Sequence, residues 1–446
     1  MAGITFDTVT LPEIVVPPEV PAIGSDTFRE RYRGLERARE EAGFDCLVIY
    51  ADREHAANLT WLTDFGPRFE EALWIQGVGT PTLLVGNECL AYAPAQLRVE
   101  AHVELYQAFS LPDQDRSLNV DLEASLRKAG LMKGMRCGVI GWKPMARSEL
   151  PYWIVQAIAD VTGDEPANAN DLLMGLESGL RVRMEPEMIR FCEYGHALVS
   201  DAMRAWLHHL REGMTEREAA AAFQAFGLEL NCHPMVNFGE RIPSGLKSPR
   251  NAPVRRGHYA QAAFGVIGAM SSRAGRLVGR NDADADDYLE LVEDYLTTVR
   301  AWYAHVRVGA VGGEVFDRSS AAKADTWDFA LNPGHLIHLD EWLASPFSDG
   351  SPVVLASGMA IQQDIIPVPR DSKAVINMED GLVLADEGLR AELKAVDPGL
   401  IDRCEVRRAF MEELGYELAP DVLPLSNIPG AFFPFLLEPR YLARFV

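Results

Sequence analysis

The chain has 446 residues, of which 48% are apolar and 24% charged. That balance suits two or three folded domains and excludes a wholly disordered or low-complexity protein. With 42 basic and 65 acidic residues the net charge is −23, which disfavours non-specific binding to nucleic acid or to anionic membrane surfaces.

Six cysteines (Cys46, Cys89, Cys137, Cys192, Cys232 and Cys404) show no C-x-x-C spacing. This argues against a zinc ribbon or a disulfide framework and suits a reducing cytoplasm. The first 24 residues lack a basic stretch followed by an apolar one, so they read as an extended leader rather than a signal peptide. No run of about 18 apolar residues occurs, so no membrane span is expected.

In chain order, Ser25 opens a helix with Phe28, Tyr32, Leu35 and Ala38 on one face, and Gly43 stops it. The run 44–51 reads as a buried strand, and 72–86 as two strands around a Gly/Pro turn. Residues 120–141 read helix, turn, strand. Together 25–170 form an α/β domain.

A polar, Pro-containing break at 162–173 precedes two long helix patterns. The first covers 185–210, with Pro186 in its first turn. The second covers 215–230, where Thr215 and Glu218 make a capping box. Strand-like runs separated by Gly/Pro turns follow, with another helix near 282–306. The acidic run at 282–287 opens that helix, where the dipole favours negative charge. This second domain, 175–390, is α+β, and 391–446 is a C-terminal extension that packs back on it.

Several stretches resemble the creatinase/aminopeptidase P family, the M24-like proteins of the pita-bread fold. SGLRVRMEPEMIRF carries Arg181, Arg183 and Glu187 where that family begins its domain-joining helix. LREGMTERE, RRGHYAQAAFG, NPGHLIHLDE, ASGMAIQQDIIP and INMEDGLVLADEG match five further motifs in the right order. The resemblance implies an α/β N-terminal domain and a pita-bread C-terminal domain. It also implies a homodimer and a hydrolase.

The family's metallopeptidases hold two metal ions with two Asp, one His and two Glu. Carried over position by position, the first Asp falls on Ala263 and the second between Ser272 and Ala274. The His falls on His335, and the two Glu fall on Asp364 and Glu379. The family's catalytic His falls near Leu246 and Lys247, and a second His on Trp342. With both Asp replaced, two divalent cations lose the carboxylates that balance them. The expectation is therefore a metal-independent site with no cofactor, as in creatinase, while one ion on the three survivors stays open.

His335, Asp364 and Glu379 are the expected catalytic set. Imidazole titrates near neutral pH. Two buried carboxyls can share a proton or grip a cationic nitrogen group. Expected substrate-binding residues are His338, Asp340 and Glu341 beside the His335 strand, Arg250 in the loop that lost the catalytic His, and Arg273 and Arg276 where metal chemistry would stand. In the N-terminal domain, TDFGPRFEE resembles the creatinase loop that holds a substrate carboxylate across the dimer, and this singles out Phe65 and Arg68.

The expected function is cleavage or rearrangement of a C–N bond in a small, carboxylate-bearing nitrogenous compound by acid/base catalysis. Expected partners are that small molecule and a second copy of the chain, not nucleic acid or membrane. A non-catalytic binding or scaffold protein is the alternative, and a mononuclear metal-dependent peptidase or lyase the third.

Overall fold

A computed structural model describes residues 3–446 except 244, 284 and 371–372. It divides into two compact units, residues 23–182 and residues 1–22 with 183–446.

In the 23–182 unit a six-stranded sheet mixes parallel and antiparallel neighbours. The Cys46–Ala51 strand lies inside it, antiparallel to Ala72–Gln76 and parallel to Cys137–Ile140. Its near-continuous apolar run is what a strand covered on both faces needs. Val48, Ile75, Leu84 and Val139 pack there against Leu126, Ile154 and Ile158 from helices. The first helix runs Ser25–Glu41 as expected, with Gly24 rather than Ser25 in the capping position. Gly43 follows at φ +72°, a left-handed turn that suits glycine.

The other unit holds a seven-stranded sheet whose pairings are all antiparallel. Its strands are Met235–Gly239, Tyr259–Val266, Ala269–Arg276, His335–Leu336, Ala360–Asp364, Asn377–Leu384 and Val422–Pro424. The 24-residue helix Pro186–His209 starts on its proline and buries Met188, Ile189, Cys192, His196, Val199, Met203 and Trp206 along one stripe.

Three features differ from the sequence expectations. The leader carries a strand, Ile4–Thr8, paired antiparallel with Tyr441–Phe445, so both chain ends belong to the larger unit. The capping box at Thr215 and Glu218 forms, yet the helix it opens is only Glu216–Ala219 and tightens into a 3₁₀ turn. Phe223 leaves the helical path and stacks on Phe264, ring centres 5.0 Å apart. That burial outweighs the helix preference of the alanines. Third, a 3₁₀ turn, Asp286–Tyr288, leads into the Leu289–His305 helix. Residue 284 of the acidic run lies outside the described residues.

Arg273, expected at the substrate, instead ties the C-terminal extension to the sheet. Its guanidinium reaches both carboxylate oxygens of Asp380 at 2.8–2.9 Å and donates to the carbonyls of Ala431 and Ile428 at 3.0 and 2.7 Å. Asp380 in turn accepts from the Gly430 amide at 2.9 Å. Both side chains are almost wholly buried, so each charge needs the other. Arg273→Met is therefore expected to cost about 3–5 kcal/mol in urea unfolding. An unchanged midpoint would free Arg273 for the ligand role instead.

Candidate functional site

One row of the sheet assembles the site. The register sets Asp364 opposite Glu379, Glu379 opposite Ser272, and Ser272 opposite Ala263. Directly paired residues point to the same face. In the neighbouring row His335 lies opposite Gln362. His335, Asp364 and Glu379 are 0%, 6% and 4% exposed, and each offers a ligand atom within 4.8 Å of the others.

The His335 ring is held from two sides. Nδ1 lies 3.2 Å from the Leu336 carbonyl, which can only accept, so the neutral ring carries its proton there. Trp342 stacks on the imidazole, centres 4.2 Å apart and 15° from parallel. Nε2 makes no hydrogen bond among the described residues. It stands 3.5 Å from Glu341 Oε1 and 3.8 Å from Glu379 Oε1. A ring lone pair facing carboxylate oxygens is repulsive until a proton or cation comes between them.

The two carboxyls are pushed the same way. Burial holds Asp364 well above the usual carboxylate range, and the charge of Glu379 adds to it. Burial likewise raises Glu379, with Glu341 and Asp380 adding repulsion. Asn377 donates to Asp364 Oδ1 at 3.2 Å, and Gln362 donates to Glu379 Oε1 at 3.2 Å. Those neutral donors satisfy lone pairs without supplying a positive charge.

Of the expected residues, the structure brings together His335, Asp364, Glu379 and Glu341. His338 is buried and its Nδ1 accepts from the Leu339 amide at 2.8 Å. The strand is only His335–Leu336, so His338 lies beyond it. Asp340 accepts the His338 amide on its carbonyl at 3.1 Å. The Arg276 guanidinium lies 5.9 Å from the ring centres of both Tyr259 and Tyr288. Arg250 is exposed, its backbone amide donating to Glu216 at 2.7 Å. In the 23–182 unit Phe65 is fully buried against Tyr92. Arg68 there is exposed, with φ +62° and its guanidinium 6.0 Å from the Tyr92 ring centre.

Sequence reasoning passed over Ser272, Asn377, Gln362 and Cys232 as site residues. Asn377 and Gln362 each stand two residues before a site carboxylate, and the period of two in a strand was the available signal. Cys232 is the half-buried member of six unpaired cysteines. Burial pushes its thiol up to about 12, with Glu341 and Glu379 adding to the shift.

The residues present do not fit a two-metal centre. Ala263 has no donor, and the Ser272 hydroxyl is already committed to Asn377 Oδ1 at 2.7 Å. One imidazole and two carboxylates do fit a single ion.

Residues 192–386 match the model of metallopeptidase family M24. The fold is shared with the Xaa-Pro dipeptidase from Bacillus anthracis, at TM-score 0.62 and 18% identity, covering 81% of this chain and 96% of that one. It is shared with the X-Pro aminopeptidase from Thermotoga maritima at TM-score 0.64 and 14% identity, covering 91% and 99%. The N-terminal domain of FACT complex subunit SPT16 from chickpea (Cicer arietinum) also has it, at TM-score 0.58 and 12% identity, covering 82% and 95%. No curated protein matches the sequence. The chain has the pita-bread fold of these structures, and the match to family M24 covers 195 of its 446 residues. Among the described residues no helix is long and apolar enough to cross a membrane.

The raised carboxyls make stability depend on pH. The folded state keeps protons that the unfolded chain releases in the ordinary carboxylate range. The stability they contribute is full below that range and is lost as pH rises toward the folded values. Asp364→Asn removes the charge that must form at high pH. It is expected to be more stable than the wild type by about 1 kcal/mol or more in mildly alkaline buffer, with the gap closing in acid. Denaturant titrations across pH check this, and a variant less stable at every pH contradicts it.

Proposed function

We propose that this chain is an acid/base enzyme that cleaves or rearranges a C–N bond in a small, carboxylate-bearing, nitrogen-rich molecule. The observation that carries the reading is the open Nε2 of His335 beside two buried carboxyls held toward their protonated forms. A neutral imidazole can take a proton from water or substrate, and a protonated carboxyl can give one to a departing nitrogen. Once ionised, the same carboxyls would hold a guanidinium or ammonium group by charge-assisted hydrogen bonds. Trp342 limits how the His335 ring can turn, which keeps Nε2 aimed at that group.

The substrate carboxylate calls for a separate cation. We assign it to Arg68 supplied by a second copy of the chain, since Arg68 is exposed and its guanidinium can pair bidentately. The six unpaired cysteines suit a reducing compartment, and we place the protein in the cytoplasm on that ground.

One observation favours a second reading. The three ligand atoms within 4.8 Å of one another, with Nε2 unpartnered, suit a single divalent ion on His335, Asp364 and Glu379. Such an ion would supply Lewis acidity and an activated water, and Glu341 would stand beside it as a base.

The test combines elemental analysis with thermal shift in the presence of guanidinoacetate. The acid/base reading expects less than one metal per chain and a melting temperature raised by guanidinoacetate, with Asp364→Asn abolishing the rise. One tightly held metal per chain, lost on His335→Ala, moves the assignment to the single-ion enzyme. Cleavage of X-Pro dipeptides abolished by a chelator would sink the acid/base reading.

A further inference from the structure

A cavity of about 520 Å³ opens in the 23–182 unit, lined among others by Tyr106, Val120, Asp121, Glu123, Tyr152 and Trp153. That is the size of many small-molecule sites. No basic side chain lines it, and none of its residues belongs to the set around His335.

Its floor is aromatic. Tyr106 is 5% exposed and packs on Phe109 and Trp153, ring centres 4.8 and 6.2 Å away. Trp153 also meets Phe109 at 5.9 Å. Yet Trp153 remains 40% exposed and Tyr152 77% exposed, at the start of the Tyr152–Thr162 helix. Val120, which lines the same cavity, is exposed as well. Large apolar side chains gathered on open surface forgo burial, and such patches mark contact sites. The Tyr152 ring is steadied by its hydroxyl, which donates to Gln156 Oε1 at 2.9 Å.

The rim is acidic. Asp121 stands in the capping position of the Leu122–Lys128 helix, but its carboxylate accepts no amide there. Neither Asp121 nor Glu123 has an ion-pair partner among the described residues, and the Tyr106 hydroxyl makes no hydrogen bond among them. Burial pushes that hydroxyl up to about 12, with Glu123, Asp121 and Glu71 adding to the shift. The phenol therefore stays neutral and feels the charge of the rim. Aromatic faces are themselves negative, so floor and rim both favour a cation. A primary ammonium needs acceptors for three N–H groups, which ring faces supply poorly. A quaternary ammonium has no N–H to satisfy, and its methyl groups can rest on the rings.

We propose that this cavity binds a small quaternary ammonium compound, with the alkylated nitrogen on the Tyr106, Tyr152 and Trp153 rings and its charge balanced by Asp121 and Glu123. The site goes beyond the acid/base reading and stands or falls apart from the chemistry of His335.

The test measures binding of choline to the full-length protein by calorimetry, beside its neutral isostere in which carbon replaces the charged nitrogen. Choline is expected to bind saturably, and the isostere about tenfold more weakly, the scale of a cation held over desolvated rings. Trp153→Leu keeps an apolar side chain at a part-exposed position and is expected to weaken choline about tenfold. Asp121→Asn with Glu123→Gln is expected to weaken it severalfold and to remove most of its sensitivity to salt. Equal binding of choline and the isostere overturns the proposal, as does no binding of choline at millimolar concentration. Unchanged affinity in Trp153→Leu overturns it too. If that variant does not fold, the isostere comparison and the double carboxylate variant decide.

Discussion

Two carboxyl side chains, Asp364 and Glu379, face each other across one cross-strand pair inside a buried antiparallel sheet. Like charges cannot both stand there in a low-dielectric interior without a proton or a cation to compensate them. Much of the surrounding structure meets that demand. Asn377 and Gln362 give neutral hydrogen bonds to one oxygen of each. His335 brings an open ring nitrogen to the same face. Asp380, next along the strand from Glu379, is neutralised separately by Arg273. Without that pair a third uncompensated carboxylate would stand beside the site.

The same face explains why the site does not suit a two-metal design. The positions that would carry the bridging aspartates are Ala263 and the Ser272 region, in one row with Glu379 and Asp364. Ser272 has joined a short neutral chain, hydroxyl to Asn377 and Asn377 to Asp364. Neither position carries a charge, and a hydrogen-bond network takes up the Ser272 side. What remains suits proton traffic or a single ion, with Trp342 stacked on His335 and Glu341 beside its Nε2.

Much of the fold was legible in the sequence. Ordered motifs located the strands that bear His335, Asp364 and Glu379, and the structure brings those three together. Local patterns did well where packing agreed with them, as in the Pro186–His209 helix and the capping box at Thr215. They failed where a long-range contact won: Phe223 ends the helix early to stack on Phe264. Charge alone misdirected the reading of Arg273, because its partner Asp380 lies 107 residues away and only the sheet register joins them. The strand period could have found Gln362 and Asn377.

The central claim is that a proton resides on the buried carboxyl pair. Infrared spectroscopy of the full-length protein near neutral pH reads this directly, through the stretch of a protonated carboxyl group. The account predicts a buried carboxylic-acid band that weakens or shifts in Asp364→Asn and persists above the ordinary carboxylate range, fading as pH rises. No such band at neutral pH, with both carboxyls fully ionised, would contradict it and point to a bound cation as the compensating charge.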